Sequence, residues 1–193
     1  MDDFYILNKP EIHNEIEAKS KQIGFTMPSD LYIGSLLKTL ITAKPKSNLL
    51  ELGTGIGLSL SWMVDAMDND STLTTVDNDP KLIKIANDFF NNKRNVNIVC
   101  ADGAEWIKSY TGENFDLIFA DAWPGKYSEL DEVLALLKVG GLYVIDDMKP
   151  QQNWPEGHDK KAANLVELLE AREDLNLTKM NWSTGVIICA KKF

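Results

Sequence analysis

Residues 49–57 read Leu49-Leu50-Glu51-Leu52-Gly53-Thr54-Gly55-Ile56-Gly57, an apolar run of strand length that ends in three alternating glycines and passes into a helical pattern. A buried strand, a sharp turn and a helix satisfy that order. Glycine tolerates the backbone conformations a tight reversal needs and lets another group approach the main chain closely. In an open α/β sheet such a turn lies at the carboxyl end of a strand, where ligands bind. The spacing G-x-G-x-x-G is not met: counting from Gly53, the third glycine stands at offset four (Gly57) and Leu58 holds offset five. A purely structural turn is the competing reading, and the surrounding pattern decides between them.

That pattern is an alternation. Residues 48–52, 73–76, 96–100, 117–120 and 142–145 read as five strands, apolar enough for burial on both faces, as in a parallel sheet. Helical spacing fills 58–67, 80–91, 104–110 and 128–138 between them, which implies right-handed βαβ units and a doubly wound sheet with helices on both faces. After a helical stretch at 160–172 come two strand-like runs, 175–180 and 185–190. They are joined only by Asn181-Trp182-Ser183-Thr184, so they must be antiparallel. Before residue 48, 10–23 and 29–43 are expected to be helices covering one edge or forming a lid, with Ser29-Asp30 starting the second.

Composition bounds the partners. A chain of 193 residues, 44% hydrophobic and 25% charged, suits a single domain over 1–193. Its 20 basic against 29 acidic side chains give a net charge of −9, which repels nucleic acid and anionic lipid. The start MDDFYILNKPEI has no basic or apolar leader, and no apolar run reaches membrane-spanning length, so a cytoplasmic protein is expected. Cys100 and Cys189 each sit in an apolar run and are expected to be reduced core residues.

Acids recur at the strand ends. Glu51 precedes the glycines; Asp77 ends the second strand, twenty residues beyond Gly57; Asp102 follows the third in Cys100-Ala101-Asp102-Gly103-Ala104; Asp121 follows the fourth. A carboxylate at the end of the second strand can accept both hydroxyls of a ribose, and Asp102 is placed to accept from an adenine amino group. Asp77, Asp79 and Asp102 are each also readable as helix N-caps, the commoner use of such residues. Four acids in register favour the ligand-binding reading.

On these residues the chain resembles class I S-adenosylmethionine-dependent methyltransferases. The resemblance implies a Rossmann-like, seven-stranded, mostly parallel sheet with an antiparallel last strand. It implies that Glu51 and the backbone of Gly53, Thr54, Gly55 and Gly57 face the methionine part of the cofactor. Asp77 would hold the ribose and Asp102, Gly103 and Ala104 would border the adenine; Met27, Ser59 and Asp121 join the expected cofactor-binding set.

Within that fold the chain is similar to the catechol/caffeoyl-CoA type of metal-dependent O-methyltransferase. Four segments carry this likeness: Phe25-Thr26-Met27-Pro28-Ser29-Asp30, Asp121-Ala122-Trp123-Pro124-Gly125-Lys126-Tyr127, Asp146-Asp147, and Trp182-Ser183-Thr184-Gly185. The resemblance implies a metal on Asp121, Asp146 and Asp147, and three carboxylates suit Mg²⁺ or Mn²⁺. The family pattern D-x-x-K-x-x-Y keeps Tyr127 at offset six, but offset three is Pro124 and the nearest lysine is Lys126 at offset five. Asp147 also stands where an Asn is expected. Lys126, otherwise a solvated charge, and His158 in the loop after the fifth strand are the candidate catalytic residues. Trp123 and Trp154 are candidate walls of an acceptor pocket, and His13 is expected on the surface. The leading expectation is therefore O-methylation of a small, catechol-like hydroxyl compound, assisted by a divalent cation, in a chain that can form a homodimer. A non-catalytic cofactor-binding protein of the same fold is the alternative that Pro124 motivates. A nicotinamide-dependent oxidoreductase is disfavoured by the glycine spacing.

Overall fold

The computed structural model describes residues 3–151 and 154–193. Its seven strands lie in one sheet in the order β3-β2-β1-β4-β5-β7-β6; β2–β3, β1–β4 and β4–β5 pair in parallel, and β7 runs against both β5 and β6. The chain forms two compact units.

The first unit comprises the residues up to Ser47 together with Gly53–Ala101. It holds α1 (His13–Ile23), α2 (Leu31–Thr42), α3 (Leu58–Ala66), β2 (Thr72–Asp77), α4 (Pro80–Phe90) and β3 (Val96–Cys100). Local signals set the helix starts. The Asp30 carboxylate accepts from Ile33 N–H at 2.9 Å, and Asp79 caps α4 with Pro80 in its first turn. Gly34 is what lets α2 lie against α3, because a Cβ there would run into the Trp62 ring. Two expectations fail here. His13 is buried at 3% exposure, its Nδ1 2.9 Å from Ser61 Oγ and its ring edge-on to Trp62. It faces the apolar seam of α1 and α3, and the hydroxyl makes its burial tolerable. Cys100 is exposed, because it ends an edge strand whose residues are only partly covered.

The second unit comprises β1 (Asn48–Leu52) and Asp102–Phe193, with α5 (Gly103–Ser109), β4 (Phe115–Ala120), α6 (Leu130–Ala135), β5 (Leu137–Ile145), α7 (His158–Glu170), β6 (Leu175–Met180) and β7 (Val186–Lys191). Its core is the β1–β4–β5 centre: Leu49, Leu50, Phe119, Val144 and Ile145 are fully buried, which explains their unbroken hydrophobicity. The helix expected at 128–138 shrinks to α6, and β5 begins at Leu137 instead of residue 142. The Gly140-Gly141 pair lies inside the strand, opposite a register shift between Phe115 and Leu117. Among the described residues no helix is long and apolar enough to cross a membrane.

Candidate functional site

In the first unit the glycine loop is held by main-chain bonds. Gly53 N–H donates to Val76 O at 2.9 Å and Gly57 N–H to Thr54 O at 2.9 Å. Gly57 has φ +96°, and a Cβ there would lie 2.7 Å from Phe90 Cε2, so conformation and space both demand glycine. Asp77 ties the loop to the next helix: Oδ2 accepts from Gly55 N–H and Oδ1 from Asp79 N–H, each at 2.9 Å. A carboxylate has about four lone-pair directions, so both oxygens keep capacity for a ribose diol. Asp77 therefore braces the loop and is not itself a helix cap. The Thr54 hydroxyl is paired with Thr75 Oγ1 at 2.6 Å and buried, so Thr54 has only its backbone to offer a ligand. Ser59 is buried in α3, and Met27 is exposed ahead of α2. Phe25, which opens the segment ahead of α2, lies over Gly55: a Cβ on that glycine would be 3.2 Å from its Cζ.

In the second unit Glu51 is fully buried on β1. Asp102 does cap a helix, accepting from Ala104 N–H at 2.9 Å and Glu105 N–H at 3.1 Å. Pro124 packs against this turn, since a Cβ on Gly103 would lie 3.1 Å from its ring. The proline at the lysine position thus has a packing task.

Beyond Pro124 the loop folds back on itself. Tyr127 N–H donates to Trp123 O at 2.8 Å, Gly125 N–H to Ser128 O at 2.8 Å, and the buried Tyr143 hydroxyl to Gly125 O. This turn sends Lys126 inward. This candidate catalytic side chain, for which a solvated charge was the competing reading, is only 4% exposed, and its Nζ donates to the Asp146 carbonyl oxygen at 2.5 Å.

Asp146 is 2% exposed, and its Oδ1 accepts from Thr184 Oγ1 at 2.5 Å and Asp147 N–H at 2.7 Å. Asp147 follows with φ +54°, a left-handed conformation that Asn and Asp adopt more readily than most residues. Asp121 N–H donates to Leu52 O at 2.9 Å, which sets the end of β4 beside that of β1. Among the described residues, no three His, Cys, Asp or Glu side chains are grouped to hold a metal. As arranged, the acids at 121, 146 and 147 do not fit an ion.

His158, the first residue of α7, is 8% exposed, and its Nε2 lies 3.1 Å from Tyr127 Oη. Its Nδ1 is buried without a hydrogen-bond partner among the described residues. Trp154 lies against the imidazole with centroids 4.3 Å apart and the rings tilted by 41°, and Trp123 meets it edge-on at 5.7 Å. Trp123 itself is 48% exposed, with Lys161 Nζ 3.9 Å over its ring. Burial, and then the Lys126 and Lys161 charges, lower the His158 pKa, so the ring is neutral near pH 7. Burial, and then Asp147 and Asp121, push the Tyr127 hydroxyl up to about 12. Tyr127 and Thr184 were visible in the sequence only as matches to a pattern; their partners are set by tertiary contacts.

A family model described as O-methyltransferase matches residues 8–191. Among solved structures, an O-methyltransferase from Bacillus cereus in complex with SAH superposes with a TM-score of 0.84 at 19% identity, covering 97% of this chain and 93% of that one. A Staphylococcus aureus structure described as a caffeoyl-CoA O-methyltransferase gives 0.77 at 21% identity, over 93% and 91%. At such identities these two bear on the fold. A Mycobacterium ulcerans protein bearing an O-methyltransferase name is 28% identical over 128 residues, 64% of this chain. The match spans 56% of that relative's length.

Proposed function

This chain belongs to the O-methyltransferase family, and on that premise we propose that it transfers the methyl group of S-adenosylmethionine to a hydroxyl oxygen of a small-molecule acceptor. The observation that carries the reading is the neutral His158 hydrogen-bonded to Tyr127 beside the buried Lys126. That arrangement takes up a proton from a hydroxyl and tolerates the negative oxygen left behind.

When bound, the cofactor supplies an electrophilic methyl on a sulfonium sulfur and departs as the neutral thioether. The chain's own work is positioning and proton handling. Asp77 accepts from the ribose hydroxyls while bracing the glycine loop. The main chain at Gly53, Thr54, Gly55 and Gly57, with Glu51, receives the methionine portion; Asp102, Gly103 and Ala104 border the adenine. Met27, Ser59 and Asp121 complete the proposed cofactor-binding set.

On the acceptor side, Tyr127 Oη takes the acceptor's hydroxyl proton as its own proton passes to His158 Nε2. The oxygen then attacks the methyl carbon in line as the carbon–sulfur bond breaks. Trp123, an exposed aromatic ring, suits an aromatic, catechol-like acceptor. We also take residues 1–193 as one methyltransferase domain working in the cytoplasm, where two copies can pair as a homodimer.

Calorimetric titration with S-adenosylhomocysteine tests the reading. Saturable 1:1 binding with a Kd on the order of 1–100 μM, about −8 to −5.5 kcal/mol, is expected. Absence of heat from folded protein would remove it.

A further inference from the structure

An ammonium that is only 4% exposed has left water and persists only where fixed oxygens and negative charge replace its hydration shell. For Lys126 the oxygen is the Asp146 carbonyl at 2.5 Å, and the Tyr127 ring centroid lies 5.3 Å from the same nitrogen. Asp121 and Asp147 both act on Tyr127 through their charge, while Lys126 and Asp147 both act on His158. Cation and acids share one neighbourhood. Yet the acids do not converge: Asp146 Oδ1 is committed to Thr184 and to the Asp147 amide.

We propose that Lys126 is the resident cation of this centre, supplying the positive charge that Asp121, Asp146 and Asp147 would otherwise draw from a divalent ion. The assignment rests on the O-methyl transfer reading and deepens it: the ionised acceptor oxygen is met by a fixed side-chain charge, not by a metal. The Pro124-Gly125 step is the sequence change that permits it. It moves the lysine two positions along, and the turn pinned by Tyr143 on Gly125 aims the side chain inward. A divalent ion entering here is repelled by the ammonium and must first displace it from the Asp146 carbonyl.

The test is Mn²⁺ titration of the full chain followed by electron paramagnetic resonance, with circular dichroism confirming the fold of each variant. Wild type leaves Mn²⁺ free in solution up to about millimolar concentration, and Lys126→Met binds it at least about tenfold more tightly because the opposing charge is gone. Lys126→Arg, which keeps the charge, behaves as wild type. Saturable Mn²⁺ binding by wild type, lost in Asp146→Asn, overturns the assignment, and so does a folded Lys126→Met that binds no better than wild type. Should Lys126→Met not fold, the wild-type and Lys126→Arg titrations decide alone, since binding in either contradicts the proposal. A parallel S-adenosylhomocysteine titration keeps the two ideas apart. Its failure removes the methyltransferase reading without touching the Mn²⁺ result.

Discussion

Around residues 53–57 the polar groups offered to a ligand are main-chain amides, held by bonds to Val76 O, Thr54 O and the Asp77 carboxylate. Around residues 121–127 they are side chains, and the ones that matter are buried or half-buried: Lys126 on the Asp146 carbonyl, Tyr127 on His158, Asp146 on Thr184. Backbone groups come with any sequence that makes the turn. Buried side-chain networks must each be assembled by partners distant in the chain, and each member left alone is costly. The first region is therefore expected to fail where its backbone or the Asp77 brace is altered, and the second where a side chain of its network is removed.

The largest expected effect breaks the acceptor side. His158→Ala lowers kcat by roughly 10²–10⁴-fold, the range for loss of a general base, and leaves S-adenosylhomocysteine affinity within about twofold. Its pH profile carries a sign. The base works when neutral, and burial lowers its pKa, so the rising limb of kcat/KM in wild type lies below the ordinary imidazole value of 6.5. A limb centred above that value would show that His158 is not the group titrating. Next, Asp77→Asn weakens S-adenosylhomocysteine binding by about ten- to hundredfold, the worth of charge-assisted bonds, measured by calorimetry. Smaller again, Gly57→Ala costs about 1–3 kcal/mol in chemical denaturation, since φ +96° and Phe90 at 2.7 Å both oppose a Cβ. A neutral result would mean the loop is far more pliant than its hydrogen bonds suggest. The least effect is on acid stability. His13 and His158 both have lowered pKa values, so the unfolded chain binds more protons than the native one. Their stabilisation is complete above pH 6.5 and is lost progressively as pH falls below it. Denaturation midpoints at pH 7.5 and 5.5 read this, and equal midpoints would contradict it.

The same contrast explains what the sequence made legible. Strand periodicity and capping residues are local, so β1, β3 and β6 fall on the expected residues, and Asp30, Asp79 and Asp102 cap the helices they precede. The expected start of β5, residue 142, falls late against Leu137 because its first residues include a glycine pair beside a register irregularity and lack the apolar run of a buried strand. On the glycine-loop side, Asp77 was expected to hold a ribose, and its bond to Gly55 N–H is a bracing role that spacing did not announce. On the acceptor side, residue types were visible but their burial was not. For Lys126 the sequence left a catalytic residue and a solvated charge both open, whereas a Pro-Gly turn and the Tyr143 hydroxyl direct it inward. His13 read as exposed because the Ser61 that accommodates it lies 48 residues away. Pairings of that kind leave no trace in spacing.

One measurement bears most directly on the central claim, methyl transfer to oxygen. Protein shown to bind S-adenosylhomocysteine is incubated with S-adenosylmethionine carrying an isotopically labelled methyl group and a panel of catechols and simple phenols, and products are read by mass spectrometry. The account predicts an acceptor bearing the labelled methyl on oxygen, formed in equal amount with S-adenosylhomocysteine and abolished in His158→Ala. Label found on nitrogen or carbon, or oxygen methylation undiminished in His158→Ala, would contradict it.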